Sequence, residues 1–445
     1  MRSRLFLVLV CVLGLLGPAP ARAEAGDVRL LANVPYTGGT EIAFEGPYVY
    51  AGQINGVTQR NSHPGQGGVF VFRRTGAGLD LVSMISCGGN DNDVMVVRPG
   101  LIAISHHVSR CNPATRGNGI FLVDVSKPER PRILGGVGVP SAHTLTVHPG
   151  GRYIYVSPGG LGNGDLYEYI VDVSVPKLPA IVSRFRGTAA GCHDLSFDIR
   201  PELDRHLAFC AGAGEIQTWD VRDPVAPRVI ATTSNPAIQF PHNAVVSPDG
   251  TKLVINDEAF GVHECKTETS VYGSLWIYDI RVPNAPVPVG RIAPPAGPTT
   301  APTYADWADE WCTAHNYNFV PGTDLVVTAW FTGGTTVHDI SNPVLPKRVA
   351  SYRPDDAVAY TAHWYAGRIY VNDMRRGMDV IEVDGVSEGS SYGPAPAVSW
   401  PRVDRTRELL PSVMPPRPDA ATDRSVATSL FCVVPDTTQK VTPLL

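Results

Sequence analysis

The chain has 445 residues, a formal net charge of −5 and 18% charged residues. That near-neutral balance excludes the strong basic field of a nucleic-acid or membrane-surface binder. With 43% hydrophobic residues, 44 glycines and 40 prolines, it describes a turn-rich, core-forming chain rather than a disordered one.

Arg2 and Arg4 precede an apolar run, Leu5–Leu16, too short to span a bilayer. Ala21-Arg22-Ala23 has the small-x-small pattern of a cleavage site, so residues 1–23 read as a signal peptide and the mature chain begins near Glu24. No later run suggests a transmembrane segment. The expectation is a secreted, extracellular, monomeric protein.

An internal repeat then dominates. LVDVSKPERP (122–131), IVDVSVPKLP (170–179), TWDVRDPVAP (218–227), IYDIRVPNAP (277–286) and VHDISNPVLP (337–346) share one pattern, with degenerate copies at 69–76 and 380–385. Each Asp precedes a turn closed by proline, where its carboxylate can accept a backbone N–H, which is a structural role. Each period carries four strand signals, as in HTLTV, RYIYV, LYEYIVDV and AIVSRF of the third period. Four short antiparallel strands per repeat make a propeller blade.

The third strand type occurs seven times, but its following strand is missing after the seventh copy. DVRLLANVP (27–35) resembles that missing strand. The prediction is an all-β, seven-bladed β-propeller over 24–385, closed by the N-terminal strand pairing beside 377–383. Residues 386–445 read as a Pro- and Ser-rich tail, largely extended or disordered.

Seven cysteines remain after signal removal, in an oxidising context that favours pairing. The expected disulfides are Cys87–Cys111, Cys192–Cys210 and Cys265–Cys312, with Cys432 free.

Propeller geometry places the loops before strand one and after strand two on one face. The long loops 51–67, 105–118, 256–273 and 293–314 fall there, which marks a binding face. His143, His193, His242, His315 and His363 open strand one of blades three to seven. The last two lie in matching TAHNY and TAHWY segments, and Asp93 takes the matching place in blade two. Inner strands converge on the axis, so such residues form a ring. Imidazoles with a carboxylate make a first-row transition-metal site for Cu, Fe, Mn or Zn. The expected core is His193, His242, His315, His363 and Glu258, with His143 and Asp93 as further ligand candidates. Glu258 is also the candidate acid/base residue, and Asp257 is expected to orient an imidazole. The bland counter-reading is that each histidine packs within its blade seam. Trp307, Trp311 and Trp330 offer stacking surfaces for a sugar, or simply pack a loop.

The VDVSxPxxP repeat resembles the LVIVD-repeat family of secreted and cell-surface propellers, over roughly 27–385. CTAHNYNF with AWFTGG, and TAHWYAGRIYVNDMRRGMDV, resemble a secreted actinobacterial branch of it. The resemblance implies a fold and carries over no catalytic residue. Two function classes follow. One is a metal-dependent enzyme, an oxidoreductase, lyase or hydrolase, acting on a small molecule. The other is a non-catalytic propeller that holds a glycan or an extracellular protein on its upper face.

Overall fold

The computed structural model describes residues 26–54, 67–76, 78–86, 93–109, 117–140, 142–159, 166–187, 191–212, 214–259, 271–295 and 312–389. The expected signal peptide, most of the tail, His63, His263, Trp307, Trp311 and the long upper loops lie largely outside them. The side chain of His107 is likewise outside.

The strands form seven four-stranded antiparallel sheets arranged as blades, and among the described residues the one helical element is a short 3-10 turn at Pro201–Leu203. The fold is therefore the seven-bladed β-propeller that the repeat predicts. The inner strands of blades one to seven are Gly39–Glu45, Val94–Arg98, Thr144–Val147, Cys192–Arg200, Pro241–Val246, Tyr317–Phe319 and Ala359–Tyr365. Closure is as expected. Val28–Val34 pairs antiparallel with Gly377–Val383 and completes blade seven, with Val28 opposite Val383 and Val34 opposite Met378. The pairing covers the outer edge of Gly377–Val383 that would otherwise be exposed.

The core is distributed over seven seams between blades. Successive residues of a strand point to opposite faces, so one strand feeds two seams. In blade three, Ile154 and Val156 pack toward blade two, and Tyr155 between them packs toward blade four. Both faces of each blade are buried, which explains why the middle strands are almost continuously apolar. Seams six–seven and seven–one follow the same rule.

The repeated aspartates are turn devices, as expected. Asp124, Asp172, Asp220, Asp279 and Asp339 each accept the N–H of the residue two places on, at 2.8–3.0 Å. Hydrogen bonds from Ser126, and then from Arg132, hold the Asp124 carboxyl down at about 2.

Cys192 and Cys210 form the expected disulfide, with Cα atoms 5.6 Å apart. Cys312 is also disulfide-bonded. Cys87, Cys111, Cys265 and Cys432 lie outside the described residues. No described helix is long and apolar enough to cross a membrane.

Candidate metal centre

The repeated aspartates provide a ruler for the inner strands. In blade three Asp172 faces Tyr153, and three residues further Val156 faces Leu145. The same count leads to Leu195 in blade four, Ala244 in blade five and Tyr317 in blade six. His143, His193, His242 and His315 each lie two residues before that position. They are therefore true equivalents, one per blade.

The count does not extend to His363. In blade seven Ala359 faces Asp373 as Pro241 faces Asp257 in blade five, with a bulge immediately after each. The equivalent of His242 is thus Tyr360. His363 lies three residues further along the strand, level with Asn318, whose Nδ2 is 2.7 Å from His363 Nδ1. The matching letters of TAHNY and TAHWY are out of structural register. Asp93 is also displaced. It precedes Val94, the counterpart of Leu145, so it lies one residue below the ring, and it accepts the Leu145 N–H at 2.5 Å. Blade one places Thr40 in the ring and Glu41 below it.

Four imidazoles therefore run in an arc across blades three to six. Their ring centroids are 4.7 Å apart for His143–His193, 3.9 Å for His193–His242 and 4.5 Å for His242–His315. Tyr360 continues the arc, 4.1 Å from His315. All five are buried. Burial, and then the neighbouring His193, His315 and His143, hold the His242 imidazole well below its ordinary pKa, which keeps it neutral.

Each carbonyl along this arc is caught from the preceding blade. Ser105 Oγ donates to His143 O at 2.7 Å, and Thr144 Oγ1 donates to His193 O. His193 Nδ1 reaches His242 O at 3.2 Å, Asn256 Nδ2 donates to His315 O at 2.8 Å, and His315 Nδ1 reaches Tyr360 O at 2.7 Å. A carbonyl only accepts, so His193 and His315 carry their proton on Nδ1. Nε2 is then the lone-pair nitrogen of each ring, the one able to ligate.

Glu258 supplies the carboxylate. It lies just past the end of the second strand of blade five, Lys252–Asp257, and its N–H is bonded to Phe240 O at 3.0 Å. One carboxylate oxygen is 3.4 Å from His242 Nε2 and the other 3.6 Å from His315 Nε2. His193, His242 and Glu258 each offer a ligand atom within 4.8 Å of the others, so this group can hold a metal ion. Two ligands about 2.1 Å from one ion lie up to about 4.2 Å apart, so a small contraction closes the site.

Asp257 does not orient an imidazole. Its oxygens accept the N–H groups of Gln239, Phe240, Ala259 and Gly273. It holds the chain on both sides of Glu258 in place, including Ala259 at a left-handed φ of 26°. Asp373 does the same in blade seven for Val358, Arg375 and Arg376. Desolvation raises the Asp257 carboxyl to about 6, with the N–H groups opposing it.

Below the arc runs a cavity of about 350 Å³ along the propeller axis. The inner-strand residues next below the ring line it, Glu41, Asp93, Thr144, Asp194, Asn243 and Asn316, and no lysine or arginine does among the described residues. His363 also lines it, with Nε2 3.8 Å from Glu41. Burial, with Glu41 adding to it, raises the Asp194 carboxyl to about 7.

No protein-family model and no curated protein matches this chain. Function therefore has to be argued from the site. His106, within the second strand of blade two, Leu101–Ser109, packs on Phe121 with ring centroids 5.3 Å apart. Trp330 is wholly buried and its indole N–H donates to Thr336 Oγ1 at 2.7 Å, so it packs the fold and presents no stacking face.

Proposed function

We propose that this propeller is a secreted metal-dependent enzyme of the LVIVD-repeat type, with a first-row transition metal bound by His193, His242 and Glu258 and flanked by His143 and His315. The observation that carries the reading is the convergence of two imidazoles and one carboxylate, all fully buried, at the head of a ligand-sized cavity. The donor set is nitrogen and oxygen with no thiolate, which suits Fe, Mn, Zn or Cu(II) rather than a soft ion.

A structural metal site is closed by four protein ligands, while a catalytic one keeps positions for substrate. Three donors above a cavity of about 350 Å³, within the range of small-molecule sites, favour the catalytic type. The bound metal would polarise an oxygen or nitrogen of the ligand as a Lewis acid. His363 and Glu41 lie further down the same cavity, where they would contact the distal part of a ligand. Secretion is supported by the N-terminal pattern of residues 1–23 and by the Cys192–Cys210 disulfide.

The test is elemental analysis of protein purified without a polyhistidine tag. Near-stoichiometric Fe, Mn, Zn or Cu, lost in a His193→Ala/His242→Ala double variant that keeps its fold, supports the reading. A wild type that takes up none of these metals refutes it.

A further inference from the structure

Asn256 is the last residue but one of Lys252–Asp257, two residues before Glu258, and it is wholly buried. Its Oδ1 accepts the N–H of Asn243, the residue after His242, at 2.6 Å. Its Nδ2 donates to two successive carbonyls of the neighbouring blade, Ala314 O at 2.9 Å and His315 O at 2.8 Å. Both amide hydrogens are thus spent on the backbone that carries His315, and the oxygen on the backbone that carries His242.

The same strand position is occupied differently elsewhere. In blade two Ser105 accepts the Asp93 N–H at 3.2 Å and donates to His143 O. In blade seven Asn372 donates to Gly52 O at 3.0 Å and accepts from Tyr36 Oη at 2.6 Å. A side chain that bonds the next blade at this height is therefore a recurring latch of the fold. Only at Asn256, among the described residues, does that latch join the backbone beside two of the arc's histidines while lying two residues from the carboxylate.

We propose that Asn256 is the positioning residue of the metal centre, setting the spacing of His242, His315 and Glu258 across the seam between blades five and six. The assignment rests on the metal reading above. The amide is planar and held at three points, so it transmits no slack. A shift of either blade at this seam moves the Nε2 atoms of His242 and His315 relative to Glu258. Loss of the amide should leave all donors present but misplaced, and outer-shell groups of this kind change metal affinity by about 10–100-fold.

The experiment compares Asn256→Ala with Asn372→Ala in the full mature chain, using Co(II) as the probe. Cobalt affinity, the visible d–d absorption band and thermal stability are measured on the same preparations. Both variants lose a buried latch, so both should melt lower. The expected result is that Asn256→Ala weakens cobalt binding by about 10–100-fold and shifts the d–d band, while Asn372→Ala alters neither. Should Asn256→Ala not fold, Asn256→Asp keeps the acceptor for Asn243 and loses both donors, and it should show the same weakening and the same change of band. Equal cobalt affinity and an unchanged band in Asn256→Ala or Asn256→Asp overturns the assignment, as does an equal loss in Asn372→Ala. A wild type that binds no cobalt overturns the metal reading itself, and this assignment with it.

Discussion

Asn318 Nδ2 lies 2.7 Å from His363 Nδ1, so the histidine of TAHWY is level with the third residue after His315 rather than with His315 itself. The carbonyl that answers His315 Nδ1 belongs to Tyr360. Two histidines that look equivalent in sequence therefore occupy different heights along the channel. His315→Ala should weaken metal binding severalfold, because His315 Nε2 faces Glu258. His363→Ala should leave metal content unchanged. Metal analysis of the two variants decides it, and an equal loss in both would contradict the register.

Ring closure predicts a global effect from a terminal truncation. Val28–Val34 is the fourth strand of blade seven, and Leu31, Ala32 and Val34 pack into the seam between blades seven and one. Removing residues 24–36 unpairs one edge of Gly377–Val383 and strips that seam of apolar cover. The melting temperature should fall by about 10 °C or more for the whole propeller in one cooperative transition. An unchanged melting curve would rule out closure by this strand.

The fold was almost wholly legible before the structure, and the reason is physical. Blade strands obey a period of two, the turns demand Asp and Pro at fixed offsets, and the pattern recurs five times in full and twice in degenerate form, so each copy corrects the others. Closure followed from one strand missing at one end and one spare at the other. The centre was legible only in part. His193, His242 and Glu258 come together, and His143 and His315 flank them. His363 and Asp93 lie three residues and one residue below the ring, because a match of letters along the chain ignores the strand pairing that sets height in the channel. The role of Asp257 was also hidden, since a carboxylate that binds four backbone N–H groups has no signature beyond its own letter. One signal was available and unused. Matching the Asn-Asp pairs that end the second strands, Asp257 with Asp373, rather than Thr-Ala-His, puts Tyr360 in the ring.

The Cys192–Cys210 bond closes an 18-residue separation between the first two strands of blade four, and Cys192 immediately precedes His193. Replacing both cysteines by alanine should destabilise the propeller by about 2–4 kcal/mol in denaturant unfolding. It should also reduce metal content, because the bulge that aims His193 loses its covalent anchor. Unchanged stability and full metal occupancy would show that strand pairing alone sets His193.

Glu168 gives a pH signature independent of the metal. It opens the third strand of blade three, is 1% exposed, and accepts the Ser157 hydroxyl at 3.0 Å through Oε2. Burial raises its carboxyl from 4.5 to about 8, with Ser157 opposing the rise and Asp194 adding to it. In the unfolded chain the group loses its proton near 4.5, while the folded protein keeps it to about 8. Between those values the unfolded state binds fewer protons, so stability falls as pH rises across that window and levels off above it. Glu168→Gln never ionises, and its amide oxygen can still accept from Ser157. Near pH 4 the variant should match the wild type. By pH 9 it should be more stable by a few kcal/mol, because each pH unit across that window contributes about 1.4 kcal/mol. Asp373, raised to about 7 mainly by desolvation, bends the two profiles alike and cancels in the difference, whereas Asp194, which couples to Glu168, contributes a smaller part of it. Urea unfolding of both proteins at pH 4 and pH 9 measures that difference directly. A gain of the same size at both values would mean that Glu168 is ionised in the folded protein throughout.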